Sequence, residues 1–127
     1  MMQRILVLDD DDQFRSMVSI VLAKAGYEAV TADNGQNGLQ ILRETDIDLV
    51  ITDLVMPGKE GVETIMEMRR DFPEVIIIAV SGGGRVGPNS YLDLAGQLGA
   101  SRTFSKPLKT AHLVSAVREL LADEGCD

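Results

Sequence analysis

The chain has 127 residues, enough for one domain with a buried core and no need of disulfide or metal staples. Its formal net charge of −8 disfavours direct nucleic-acid binding, because phosphate contacts need a basic surface. The only cysteine, Cys126, excludes an internal disulfide and a cysteine-based metal site. The sequence shows no leader after Met1 and no apolar run long enough for a membrane, so we expect a single cytoplasmic domain over residues 1–127.

Short apolar runs alternate with segments in which apolar residues recur at helical spacing. The runs predict five strands, RILVLD (4–9), YEAVTA (27–32), DLVITD (48–53), EVIIIAVS (74–81) and RTFS (102–105). Each strand is followed by a predicted helix. The inward faces of the first and third helices are predicted to be Phe14, Met17, Val18, Val21, Leu22 and Ala25, and Val62, Ile65, Met66 and Arg69. This alternation predicts an α/β fold with a parallel sheet covered by helices on both faces.

Polar side chains stand at the carboxyl ends of four predicted strands. Asp9 and Asp10 end the first strand, Asp53 the third and Ser81 the fourth, and Lys106 follows the fifth. In such sheets, ligand-binding and catalytic sites lie at this edge. Carboxylate oxygens are ligands that Mg²⁺ prefers. Each residue also has a simpler interpretation: helix capping for the aspartates, turn chemistry for the serine and a loop position for the lysine. Their coincidence at one edge favours a functional site.

The other two aspartates of the run DDDD are predicted to lie outside this site. Asp12 is placed to cap the helix that begins near Gln13, because a carboxylate there can accept from the first free amides. Asp11 is predicted to be solvated.

Four segments, ILVLDDDD, DLVITDLVMPG, IIIAVSG and FSKPL, resemble in order and spacing the signature blocks of a bacterial response-regulator receiver domain. The resemblance covers essentially the whole chain. It implies a flavodoxin-like (βα)5 three-layer sandwich with a five-stranded parallel sheet of order 2-1-3-4-5. It also implies a phosphorylation-controlled switch of two-component signalling rather than a conventional enzyme. The implied phosphoryl donor is a sensor histidine kinase or a phosphotransfer protein of a phosphorelay.

The resemblance assigns a role to each residue at the strand ends. Asp53 matches the phosphoacceptor, and Ser81 and Lys106 match the residues that contact the phosphoryl group. The implied Mg²⁺ ligands are Asp9, Asp10, Asp53 and the backbone carbonyl of Val55. In the family the bond between the lysine and the following proline is often cis, so Lys106–Pro107 is a candidate for that isomer.

A switch region is implied around the hydroxyl and the last strand. It comprises Ser81, Gly82, Gly83, Thr103 and Phe104. The family's switch aromatic falls at Thr103 here, and strand alternation predicts that Phe104 points to the opposite face. The implied output surface is built from the predicted fourth helix, fifth strand and fifth helix, where a downstream protein or a second copy of the chain would bind.

Several other families share single features with this sequence. The segment GGGRVG (82–87) satisfies the dinucleotide motif, but it follows the fourth strand and has lysines where an acid is expected about 20 residues later. Flavin binding would leave the acidic edge unexplained, and aspartate-nucleophile phosphatases and EF-hands need residues that are absent from the positions after Asp9. A receiver fold that acts as an unphosphorylated interaction module, and a domain cut from a longer regulator, both remain open.

Overall fold

Five strands and four helices make up the part of the chain described by a computed structural model, which covers residues 2–54, 61–81, 96–97 and 99–125. The strands are β1 (Arg4–Leu8), β2 (Glu28–Ala32), β3 (Leu49–Asp53), β4 (Ile76–Ser81) and β5 (Arg102–Ser105). The helices are α1 (Asp12–Lys24), α2 (Gly35–Glu44), α3 (Gly61–Asp71) and α4 (Thr110–Gly125). The predicted fourth helix, 88–99, and the glycine-rich loop, 82–87, lie almost wholly outside the described residues. None of the described helices is long and apolar enough to cross a membrane.

The strands form one parallel sheet of order β2-β1-β3-β4-β5. This order confirms the predicted flavodoxin-like topology. The order reverses where β1 lies between β2 and β3, and ligand sites of such sheets lie outside the strand carboxyl ends at this point. Leu8 pairs with Thr52, so the residues that follow them, Asp9 and Asp53, lie side by side at the carboxyl edge.

Two apolar layers enclose the sheet, because successive strand residues point to opposite faces. On β1, Ile5 and Val7 face the layer formed with α1 and α4, whereas Leu6 and Leu8 face the layer formed with α2 and α3. All four side chains are fully buried. A strand that is apolar on both faces is typical of a central strand in a parallel sheet, and the helix–sheet–helix arrangement is the predicted three-layer sandwich.

The predicted inward faces of two helices need correction. Phe14, Val18 and Leu22 of α1 are buried as predicted, but Met17 is 40% exposed. On α3, Met66 is 53% exposed and Met68 is buried in its place. The inward stripe of α3 also contains a buried threonine, Thr64, which a pattern of apolar residues alone does not detect.

The first helix begins one residue earlier than predicted, and Asp11 rather than Asp12 is its N-cap. The Asp11 carboxylate accepts hydrogen bonds from the N–H groups of Gln13 at 2.9 Å and Phe14 at 3.3 Å. An N-cap side chain must reach the second or third amide of its helix, and Asp11 does so from an extended backbone. Asp12 is the first helical residue, and its carboxylate pairs with Arg15.

Two of the described glycines have backbone angles that disfavour any other residue. Gly26, which follows the end of α1, has φ +100°, and Gly99, which precedes β5, has φ +109°. A Cβ at Gly26 would contact nothing within 4 Å, whereas a Cβ at Gly99 would lie 2.7 Å from Cδ of Arg69. Arg69 has little room to move, because its guanidinium also donates to the carbonyl of Val75.

We expect Gly26→Ala to lower the free energy of unfolding by about 1 kcal/mol through backbone strain alone. Gly99→Ala should cost more, because it adds the contact with Arg69. The matched control is Gly96→Ala, since that helical glycine has nothing near its missing Cβ. Urea unfolding of the three variants would measure the order. Equal losses at all three positions would contradict it.

Candidate functional site

The carboxyl ends of three strands bring together Asp9, Asp53 and Ser81, and all three residues are buried. Register explains their proximity. Asp53 pairs with Val80, so Ser81 extends one residue past it on the neighbouring strand. Ser81 pairs in turn with Ser105, so Lys106 leaves β5 at the same edge. The parallel sheet thus places the residues that the sequence separates by up to 97 positions around one point.

Three carboxylates form the acidic part of this site. One oxygen from each of Asp9, Asp10 and Asp53 lies within 4.8 Å of the others. Asp9 and Asp53 are buried and Asp10 is exposed, so the cluster opens to solvent on one side. Carboxylate oxygens with access to water suit Mg²⁺, which binds few protein carboxylates and keeps several waters. The backbone carbonyl of Val55, the fourth predicted ligand, lies outside the described residues.

Lys106 joins two of these carboxylates. Its Nζ lies 2.7 Å from Oδ2 of Asp9 and 3.3 Å from Oδ2 of Asp53. The backbone N–H of Lys106 donates to the carbonyl of Ser81 at 2.8 Å, which fixes the start of the loop after β5 beside the end of β4. The Lys106–Pro107 bond is cis, the isomer that the resemblance suggests.

Burial and ion pairing have opposite effects on the pKa values of Asp9 and Lys106. Burial raises the pKa of Asp9, although the hydrogen bonds from Lys106 and from the Asp11 amide act to lower it. Burial lowers the pKa of Lys106, but the hydrogen bond to Asp9 and the charges of Asp53 and Asp9 outweigh it, so that this pKa is raised. The ammonium therefore stays charged, and the formal charges of the three carboxylates and one ammonium sum to −2. A divalent cation would balance this charge.

The first turn of α1 supplies two contacts that the sequence analysis missed. The Phe14 ring centroid lies 4.2 Å from Nζ of Lys106, and Arg15 donates to the backbone carbonyl of Asp9 at 2.6 Å. The helical pattern identified Phe14 as a core position only. The sequence does contain one sign of this contact, because Phe14 is the first inward position of a helix that starts beside the site.

Of the predicted switch region, the described residues include Ser81, Thr103 and Phe104. Thr103 is exposed, whereas Phe104 packs against the apolar layer beside α1 and α4. The two side chains therefore face different surroundings, as strand alternation predicts. Gly82 and Gly83 lie outside the described residues.

Residues 5–118 match the family model of the response regulator receiver domain. The chain belongs to this family. It is thus a receiver domain of two-component signalling, a class of regulators that accept phosphoryl groups and are not classical enzymes. The fold and the acidic edge that the resemblance predicted agree with this membership.

Two curated relatives and one solved structure illustrate the similarity. The chain is 31% identical to the response regulator receiver protein CpdR of Brucella abortus over 120 residues, 94% of this chain and 98% of CpdR. It is 35% identical to the DNA-binding response regulator MtrA of Mycolicibacterium smegmatis over 121 residues, 95% of this chain and 51% of MtrA. A CheY-like receiver domain protein from Methanospirillum hungatei shares the fold with a TM-score of 0.90 at 24% identity, over 98% of each chain. The chain spans about half the length of the transcriptional regulators that it matches.

Asp10→Asn should weaken Mg²⁺ binding at least about tenfold, because it removes a charge and a ligand from the cluster. Asp11→Asn is the matched control. It removes a charge from the next position and keeps an N-cap, since asparagine caps helices as well as aspartate. Isothermal titration with MgCl₂ would compare the two variants with the parent protein. Equal weakening by both substitutions would show that the acidic run attracts cations only diffusely.

Proposed function

We propose that Asp53 accepts a phosphoryl group in a Mg²⁺-dependent reaction and that this modification changes the partner-binding surface of the domain. The proposed donor is the phosphohistidine of a sensor histidine kinase or of a phosphotransfer protein, and the proposed compartment is the cytoplasm. The observation that carries the proposal is one buried carboxylate, Asp53, with an ammonium 3.3 Å away and two further carboxylates within 4.8 Å. A nucleophilic carboxylate, a cationic hydrogen-bond donor and a group of metal-binding oxygens thus lie next to one another.

The chemistry needs no general base, because an ionised carboxylate is already a nucleophile. An oxygen of Asp53 attacks the phosphorus, a new O–P bond forms, and the P–N bond to the donor imidazole breaks. The imidazole leaves with the electron pair and takes a proton from solvent. Because charge spreads over the phosphoryl oxygens, the main tasks for the protein are positioning and electrostatic stabilisation.

Each residue at the edge has a task in this reaction. Mg²⁺ held by Asp9, Asp10, Asp53 and the Val55 carbonyl would neutralise charge on the phosphoryl oxygens. Lys106 can turn from the carboxylates to a phosphoryl oxygen, since its side chain is a flexible stem with a compact charge. The Ser81 hydroxyl is buried at the end of β4 and is proposed to donate to another phosphoryl oxygen.

The proposed output surface comprises the predicted fourth helix, which precedes β5, together with β5 and α4. Helix α4 is the fifth of the helices predicted from the sequence. Lys106 and Ser81 support this surface, because their backbones are joined by a hydrogen bond and both lead into this part of the chain. A phosphoryl group that contacts them differently in two conformations would bias one of the two. We propose a protein target or a second copy of the chain as the partner, since the net charge of −8 is unfavourable for direct contact with nucleic acid. We therefore do not extend to this domain the DNA binding described for MtrA.

Incubation with MgCl₂ and acetyl phosphate should add one phosphoryl group, at Asp53. Intact mass would count the groups, and borohydride reduction followed by peptide mapping would locate the acyl phosphate. Asp53→Asn should abolish labelling, because the amide is not a nucleophile, and chelation of Mg²⁺ should do the same.

Hydrogen exchange on the same samples would test the output part of the proposal. Exchange in β5 and α4 should differ between the phosphorylated and the unphosphorylated protein, whereas exchange in the edge strand β2 should not. Labelling of Asp53→Asn at the parent level would contradict the assignment of the acceptor. Absence of labelling in the parent protein would favour an interaction module that works without phosphorylation.

A further inference from the structure

The ammonium of Lys106 lies on the face of an aromatic ring as well as between two carboxylates. Its Nζ is 4.2 Å from the ring centroid of Phe14, well within the distance of about 6 Å at which a ring face attracts a cation. Phe14 is 9% exposed and the Lys106 side chain is 20% exposed, so little water screens this contact. Desolvated cation–π contacts are the stronger ones.

Four residues form a closed ring of contacts around this ammonium. Asp9 binds Lys106 through Oδ2 and accepts from the N–H of Asp11 through Oδ1, at 2.9 Å. The carboxylate of Asp11 in turn accepts from the N–H of Phe14, and the Phe14 ring lies against Lys106. The first turn of α1, which carries the ring, is therefore held in place through the same carboxylate that holds the ammonium.

We propose that Phe14 is a positioning residue for Lys106 in phosphoryl transfer; this rests on the proposed function. Hydrogen bonds to carboxylates are directional, so Lys106 must give up at least one of them when it turns to a phosphoryl oxygen. The ring face imposes a looser geometric requirement and can keep its attraction as the ammonium moves. It thereby restricts the flexible lysine side chain to the region where the phosphoryl group arrives.

A purely structural role for Phe14 is the rival, because its side chain also belongs to the apolar layer beside α1 and α4. Ring fluorination separates the two roles. One, two or three fluorine atoms progressively weaken the negative potential of the ring face and change its shape little. Phe72 is the matched control, since it is a partly buried phenylalanine that packs against the layer formed with α2 and α3 and lies outside the switch region and the output surface.

With Mg²⁺ saturating, the rate constant for phosphorylation of Asp53 by acetyl phosphate should fall in step with the number of fluorines at position 14. The fall should reach about tenfold for the trifluorinated ring, from the loss of a partly desolvated cation–π contact. The same series at position 72 should leave the rate constant unchanged. A flat series at position 14, or equal falls at both positions, would overturn the positioning role.

A second measurement needs neither metal nor phosphorylation. In the metal-free protein, the ring current of Phe14 should move the ε-methylene proton resonances of Lys106 upfield from those of exposed lysines. Phe14→Leu should abolish that shift, and Phe72→Leu should leave it in place. An absent shift would overturn the contact itself. If the shift is present but the parent protein is never phosphorylated, the proposed function fails and the positioning role fails with it, while the contact stands.

Discussion

The ion pair between Lys106 and the carboxylates of Asp9 and Asp53 allows two acidic side chains to lie buried at neighbouring strand ends. Removing a carboxylate from water costs several kcal/mol, and a nearby cation with good hydrogen-bond geometry must offset that cost. Here the ammonium lies 2.7 Å from one carboxylate and 3.3 Å from the other. Lys106 directly follows β5. Its side chain therefore reaches both carboxylates only if β4 and β5 pair as they do. The site therefore depends on the whole sheet.

The same pair explains how a small chemical change could reach a distant surface. Three carboxylates and one ammonium leave the edge with excess negative charge, which favours a divalent cation and, in the proposed reaction, the arrival of a phosphoryl group with that cation. When a phosphoryl oxygen competes with Asp9 for Lys106, the hydrogen bond between the ammonium and Asp9 is weakened. In the proposed switch, the hydrogen bond from the Lys106 N–H to the Ser81 carbonyl carries that change towards β4 and β5. The switch that we propose is thus a change of partners for one cation.

The alternation of elements predicted the α/β fold, the resemblance supplied the strand order, and the strand ends predicted which candidate site residues lie together. Alternating strands and helices imply a parallel sheet, and such a sheet gathers Asp9, Asp53, Ser81 and Lys106 at one edge. The sequence predicts Asp12 as the N-cap, whereas the structure has Asp11, because two adjacent aspartates have the same chemistry and only the backbone conformation decides which one caps the helix. The helical pattern predicts Phe14 only as a core residue, because its contact with Lys106 joins two segments far apart in the chain.

The most direct test of the central ion pair is a double-mutant cycle on Asp9→Asn and Lys106→Met, with free energies of unfolding measured in metal-free buffer. Lys106→Met alone should destabilise the protein by about 3 kcal/mol, because it leaves two buried carboxylates without their cation. Adding Asp9→Asn should recover part of that loss, so that the two substitutions together cost at least about 1 kcal/mol less than their sum. Strictly additive losses would contradict the account, since they would mean that the fold does not depend on this pair.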